Sequence, residues 1–251
     1  MGLLSRVASH STRLSRRRAL VIGGSGGIGR AVTYALASVG ATVVCHGGTD
    51  EERLERVVQY IQANGGRARG LFVPLRQGDE LLPYLPEIGT VDILVVSMGP
   101  VVYRSLAETD ADDWRRMINL NLLVPGLLVS HYLPRMVERG WGRVVLFAGP
   151  SADSIRGYKD IAAYGAAKSG VVTLGKSAAR QTHGTNISVN CISPGYVNTE
   201  YLSVEERERT QRKAPTGVLT APERIARLVN HLILAEEPDV NGAVITVDQG
   251  L

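Results

Sequence analysis

Along its whole length the chain alternates short apolar runs, rich in β-branched residues, with longer stretches in which apolar side chains recur every three or four positions. A short run bounded by turn residues reads as a buried strand, and the 3.6-residue recurrence reads as a helix lying on it. Seven runs qualify as strands, at 19–23, 41–45, 68–73, 91–96, 142–147, 186–192 and 243–247. Between them, 28–38, 51–63, 114–139, 162–182 and 222–235 carry helical spacing, with the longest in the second half. Strand and helix in alternation make the connections crossovers, so the pattern predicts a single α/β domain with a doubly wound, seven-stranded parallel sheet and helices on both faces. The polar stretch 196–219, with the charged run Glu205-Glu206-Arg207-Glu208-Arg209, reads as an irregular segment placed to cover a site.

Composition narrows the class. A chain of 251 residues, 44% hydrophobic, is long enough to bury a large core without staples. Its two cysteines, Cys45 and Cys191, lie among apolar β-formers and read as small buried side chains in a reducing compartment, here taken as the cytoplasm. No apolar run approaches the roughly 18 residues that span a bilayer, so no membrane partner is expected. The formal charge of +4 comes from residues 1–18, which hold Arg6, Arg13, Arg16, Arg17 and Arg18 and no acid, leaving 19–251 at −1. The expectation is therefore a basic, flexible extension at 1–18, a nearly neutral body at 19–251, and no nucleic-acid partner. The histidines show no spacing that would ligate a metal with cysteines or carboxylates, and none is expected.

Directly after the first strand stands Gly23-Gly24-Ser25-Gly26-Gly27-Ile28-Gly29, and then a helix. In that context Gly23 takes the tight turn, Gly27 lets backbone approach a diphosphate, and Gly29 lets helix pack on strand, while the helix end offers free N–H groups to the anion. The site is a dinucleotide cradle of Rossmann type, with Ser25 and Ile28 counted among its lining. The second strand ends in His46-Gly47-Gly48-Thr49, with no carboxylate to accept from a ribose 2′-hydroxyl. NADP(H) is therefore favoured, with NAD(H) as the alternative, and His46 or Arg76 is the expected cation partner for the 2′-phosphate.

The Gly-x-x-x-Gly-x-Gly spacing resembles the short-chain dehydrogenase/reductase family, and nearly the whole chain falls into that pattern. Tyr164-Gly165-Ala166-Ala167-Lys168 is similar to its Tyr-x-x-x-Lys element, Ser151 lies thirteen residues earlier, Asn121 follows Trp114, and Pro194-Gly195 with Val197 and Thr199 resembles the segment after the sixth strand. The resemblance implies that Tyr164 exchanges a proton with a substrate oxygen to which Ser151 donates. It also implies that Lys168 holds the nicotinamide ribose, Asn121 supports a proton relay, and Thr199 bonds the carboxamide, with Gly99 beside the ring. At helical spacing Lys168 shares a face with Tyr164, so its ammonium is expected to lower the phenol pKa.

The chain departs from the family where Ile22 replaces the usual Thr, Val96-Ser97-Met98-Gly99 replaces Asn-Asn-Ala-Gly, and Arg76 replaces the Asp that meets adenine. The implied function is hydride transfer between NADP(H) and a small carbonyl or secondary alcohol, most like the reduction of 3-oxoacyl thioesters. The alternative is a catalytically silent binding protein with an altered adenine pocket. A homotetramer is implied, with 114–139 and 162–182 pairing across a two-fold axis.

Overall fold

The computed structural model describes residues 13–152 and 154–250. Seven strands form one sheet: β1 (Arg18–Ile22), β2 (Thr42–Gly47), β3 (Arg67–Phe72), β4 (Ile93–Val96), β5 (Gly142–Phe147), β6 (Ile187–Pro194) and β7 (Val244–Val247). Their order is β3-β2-β1-β4-β5-β6-β7, with all neighbours parallel, as the sequence pattern predicts. The central strands are largely apolar because both faces are covered, whereas the edge strand β3 carries Arg67 and Arg69. Leu20, Ile22, Leu94, Val96, Val144 and Leu146 point into one core, and Ala19, Val21, Ile93, Val95, Val145 and Phe147 into the other. The second core is closed by α1 (Gly27–Ser38), α2 (Glu51–Ala63) and, in the second half of the chain, Ile225, Val229 and Ile233.

The long helix expected at 114–139 is three pieces end to end. These are α3 (Ala111–Ile118), a π-helical turn Asn119–Leu123, and α4 (Val124–Glu138). Its start moves forward because Asp110 caps it, accepting from Asp112 and Asp113 N–H at 2.9 and 2.8 Å. By length and hydropathy this 28-residue stretch is apolar enough to cross a bilayer, yet Leu128, Tyr132 and Met136 lie in the protein core. Beside it runs α5 (Ala162–Gln181).

The stretch 196–219 is not irregular throughout. It contains α6 (Val204–Lys213), nucleated by a capping box in which Ser203 Oγ accepts from Glu206 N–H and the Glu206 carboxylate accepts from Ser203 N–H. None of its residues is buried, so apolar periodicity had nothing to register. The last helix is α7 (Pro222–Leu234).

Of the basic segment at 1–18, residues 1–12 lie outside the described residues. The rest is packed on the body. Leu14 is buried with its N–H on Val39 O at 3.0 Å, Arg17 lies over Trp141, and Arg18 opens β1.

Arg143 is the largest fully buried side chain. Its guanidinium donates to the carbonyls of Gly142, Asn186, Ala235 and Glu236 and to Asn186 Oδ1, tying β5 to the loop before β6 and to the end of α7, and burial lowers its pKa to about 10. Removing the cation relieves a buried charge but strands several carbonyls at once. Arg143→Met is expected to lower unfolding stability by roughly 2 kcal/mol in urea denaturation, and an unchanged midpoint would contradict this role.

Candidate active site

The sheet order reverses at β1, so the loops leaving β1 and β4 diverge and open a crevice at the strands' carboxyl ends. Gly23 turns there with φ +75°, and a Cβ on it would come within 2.9 Å of Met98 Cβ. Only glycine takes this turn under that neighbour without strain. Ser97, in the loop after β4, stitches the crevice floor, donating from N–H at 3.0 Å and from Oγ at 2.9 Å to Ile22 O. The apolar Ile22 is therefore tolerated, because its carbonyl makes the tie that a side chain there would otherwise make. Ser25 is buried, and Gly47 is small because a Cβ would meet Ser25 Oγ at 2.8 Å. Gly48 likewise presses on Val73 O, and Ile28 packs half-buried into the core.

His46 is not a phosphate ligand. It is buried, with Nδ1 accepting from Gly23 N–H at 3.3 Å and Nε2 bonded to Val73 O at 2.9 Å, and burial pushes its pKa down so that the ring stays neutral. The β2 residue that looked like a surface cation is a core pin for the glycine turn. Arg76 is exposed on a loop whose N–H groups at 76, 77 and 78 are gathered by Glu80 at 2.7–2.8 Å.

On the other side of the crevice, Asn121 projects inward from the π turn. Such a bulge rotates the following residues out of helical register and recurs at functional sites. Asn121 Nδ2 donates to Pro100 O at 3.0 Å, while Oδ1 is buried without a partner. A Cβ at Gly99 would collide with that Oδ1 and sit 2.9 Å from Lys168 Nζ, so amide oxygen and amine both border the space left by the missing Gly99 side chain. Lys168 is buried in α5 and donates to Phe147 O at 2.9 Å, and burial lowers its pKa to about 8.

Tyr164 lies one turn earlier, with Lys168 Nζ 5.7 Å from its ring centre. The expected lowering of the phenol pKa is not met. Burial raises it above its ordinary value, helped by neighbouring Tyr103 and Tyr158. The loop after β5 is pressed onto this pair, since a Cβ at Gly149 would lie 3.1 Å from Lys168 Cβ and 3.2 Å from Tyr164 Cε1. Two residues on, Ser151 is held half-buried in left-handed backbone, φ +53°, a strained conformation for a residue with a Cβ. Ser154, its neighbour in sequence, is exposed.

Pro194, Gly195 and Val197 carry the chain from β6 toward the cradle. Gly195 N–H bonds Val247 O at 3.1 Å, and Asn198 N–H bonds Thr220 O at 2.9 Å. Thr199 then lies against the glycine loop, its Cγ2 3.3 Å from where a Cβ on Gly27 would be.

Three contributors escaped the sequence pattern. Tyr158 packs under Gly165 and donates to Pro150 O at 2.9 Å, bracing the serine loop against α5. Ser193 Oγ donates to Gly149 O at 2.5 Å from β6. Glu200 accepts from Gly27 N–H at 3.1 Å. Each acts through a contact between distant segments, and none sits in a spacing that would mark it.

The residues present fit a dinucleotide. The cradle is built from glycines that bring no side chain of their own to its turn, β2 ends without a charge, and a buried amide oxygen at Asn121 lacks a partner. A cavity of about 630 Å³ lies apart from the site, between α1, α2 and α7 near Tyr34 and Tyr60, and none of the predicted site residues lines it.

Residues 17–210 match the short chain dehydrogenase family. The chain is 29% identical over 246 residues to a 3-oxoacyl-[acyl-carrier-protein] reductase of Thermotoga maritima, covering 95% of this chain and 99% of that protein. It is 31% identical over 244 residues to a cis-4-hydroxycyclohexanecarboxylate dehydrogenase of Sinomonas cyclohexanicum, covering 94% and 96%. Among solved structures, a putative 2-deoxy-D-gluconate 3-dehydrogenase from Agrobacterium tumefaciens with bound NADP superposes with a TM-score of 0.83 at 28% identity, covering 94% and 96%.

Lys168 sets up a conflict between site and stability. The folded state holds its ammonium less tightly than the unfolded chain does, so below about pH 8 the buried charge costs on the order of 3 kcal/mol. Part of that is offset by the bond to Phe147 O. Lys168→Met is expected to be more stable than the parent by about 1–2 kcal/mol at pH 7, with the advantage shrinking as pH rises from 8 to 10.5, where the parent sheds the cost. Thermal unfolding across that range checks it, and a variant less stable at pH 7 would contradict it.

Proposed function

As a member of the short-chain dehydrogenase family the chain is an oxidoreductase that interconverts alcohols and carbonyls, and from that premise we propose that it is an NADP(H)-dependent ketone reductase working through Ser151, Tyr164 and Lys168. The observation that carries the reading is the convergence of Tyr164, Lys168 and Asn121 at the carboxyl end of the sheet, with the unpartnered Asn121 Oδ1 and Lys168 Nζ both bordering the space beside Gly99. The bound dinucleotide supplies the hydride. The glycine loop and the amino end of α1 would hold its diphosphate, and Thr199 and Lys168 would meet its nicotinamide end.

Tyr164 Oη carries the proton. A phenol is protonated at neutral pH already at its ordinary pKa and burial raises it further, so Tyr164 is poised to donate to an oxygen on which charge develops. Lys168, protonated below about pH 8, is the cation that resupplies it, and Asn121 positions that cation. Ser151 Oγ donates to the same substrate oxygen, its direction set by the left-handed backbone.

NADP(H) is favoured over NAD(H) because no carboxylate stands at Gly47-Gly48-Thr49 to bind a 2′-hydroxyl or repel a 2′-phosphate. For the substrate, the loops after β4 and β5 are joined where Arg104 N–H bonds Asp160 O at 2.8 Å, and they present Tyr103, Leu106 and Ile155 exposed. Apolar side chains left in water beside a polar site favour a ketone on an apolar chain, such as a 3-oxoacyl thioester, over a polyol. A cytoplasmic homotetramer, built on the 111–138 and 162–181 helices, completes the proposal.

Three measurements test it. Tyr164→Phe is expected to cut ketone reduction at least about a hundredfold while NADPH affinity, read by nicotinamide fluorescence, is unchanged; full turnover in this variant would remove the proposed acid. The reductive kcat/KM is expected to fall as pH rises through about 8 and Lys168 loses its proton, so a flat profile to pH 10 speaks against the relay. Size-exclusion chromatography with light scattering is expected to give four chains, and a monomer would reject the assembly. A silent binding protein would show no turnover with any ketone despite binding.

A further inference from the structure

Residues 199–201 lie across the glycine loop. Glu200 Oε1 accepts from Gly27 N–H at 3.1 Å, at the amino end of α1, and the same oxygen sits 3.3 Å from Arg30 Nη1 and 3.8 Å from Arg53 Nη1. Tyr201 closes the arrangement from outside. Its hydroxyl fills the space a Cβ on Gly26 would need, its ring lies 3.2 Å from where a Cβ on Gly27 would be, and the Arg53 guanidinium stands 5.3 Å from its centre. Arg53 Nε is buried 3.4 Å from Asp50 Oδ2, so this guanidinium is shared between the Asp50 and Glu200 carboxylates. One carboxylate thus occupies the backbone donor and the cations that a diphosphate would require, and both anions do not fit there together.

We propose that Glu200 is an internal competitor for the dinucleotide's phosphate site: cofactor entry displaces residues 199–201 and transfers Arg30 and Arg53 from the Glu200 carboxylate to the cofactor's phosphates. The proposal rests on the dinucleotide reading above.

The contact is built to yield. A single carboxylate oxygen is shared among three donors, and the Glu200 and Arg30 side chains are 29% and 38% exposed, where screened ion pairs are weak. A diphosphate brings more charge and more acceptor oxygens to the same donors. The segment can leave without opening the core, since none of residues 198–203 is buried. Both ends are anchored, at Asn198 by the bond to Thr220 O and at Ser203 by the α6 capping box, so the displacement is confined to the residues between.

Isothermal titration of the full chain with NADPH and, separately, with inorganic pyrophosphate tests it. Glu200→Gln keeps the shape and removes the competing charge, and it is expected to bind both about tenfold more tightly than the parent. In the Glu200→Gln background, Arg53→Gln is expected to lose about tenfold in affinity for NADPH. Unchanged or weaker NADPH binding by Glu200→Gln overturns the competitor while leaving the oxidoreductase reading intact. Tighter NADPH without tighter pyrophosphate overturns the phosphate assignment, and an unaffected Arg53→Gln overturns the transfer to that arginine. If parent and Glu200→Gln bind neither NADPH nor NADH, the dinucleotide reading falls together with this one.

Discussion

Because all seven strands run parallel, the loops that leave their carboxyl ends arrive at one edge of the sheet, and because the order reverses at β1, two of those loops part and leave room between them. Everything chemically distinctive about the chain follows from that placement. The glycine turn comes from β1, Gly99 from β4, Ser151 from β5 and Thr199 from β6, while Asn121 and Lys168 reach the same place from helices that cover the sheet. A parallel sheet needs apolar strands on both faces, so the groups at its edge sit next to a dry interior.

That dryness governs the electrostatics. Burial lowers Lys168 to about 8, raises Tyr164, and keeps His46 neutral, each in the direction that disfavours charge. For His46 the result is structural, a neutral ring bridging the glycine turn and the segment that leaves β3. For Tyr164 and Lys168 it is chemical, a phenol that stays protonated beside an amine that can change charge near neutral pH. Arg143 is buried at the opposite end of β5, at the strand's amino end, where carbonyls rather than carboxylates satisfy it. Among the described residues two cations are thus buried with different partners, one at the candidate site and one holding the sheet to α7.

The Glu200 contact shows the same physics at the surface. A helix amino end and two arginines attract an anion whatever its source, and in the protein alone the nearest source is its own chain. The departures from the family pattern fit this economy. Ser97 makes its tie through the Ile22 backbone, and the cations near the cradle stand on α1 and α2 instead of on the glycine loop or the end of β2.

Much of the fold was legible in the sequence, because a strand buried on both faces must be apolar throughout and a covering helix must repeat its apolar positions, and both demands leave a local mark. Seven strands, their parallel sense, the glycine cradle and the Tyr164–Lys168 spacing were all readable for that reason. The α6 helix was missed because it buries nothing, although Ser203 and Glu206 carried its capping signature. The π turn at Asn119–Leu123 was missed because one extra residue per turn barely disturbs an apolar period. What only the tertiary structure decided is what each polar group faces. His46 was turned from surface to core, the Tyr164 pKa was pushed up instead of down, and Glu200 was brought to a glycine 173 residues away. Spacing along a chain records which side of an element a residue occupies, but dielectric surroundings and partners are set by segments far off in sequence.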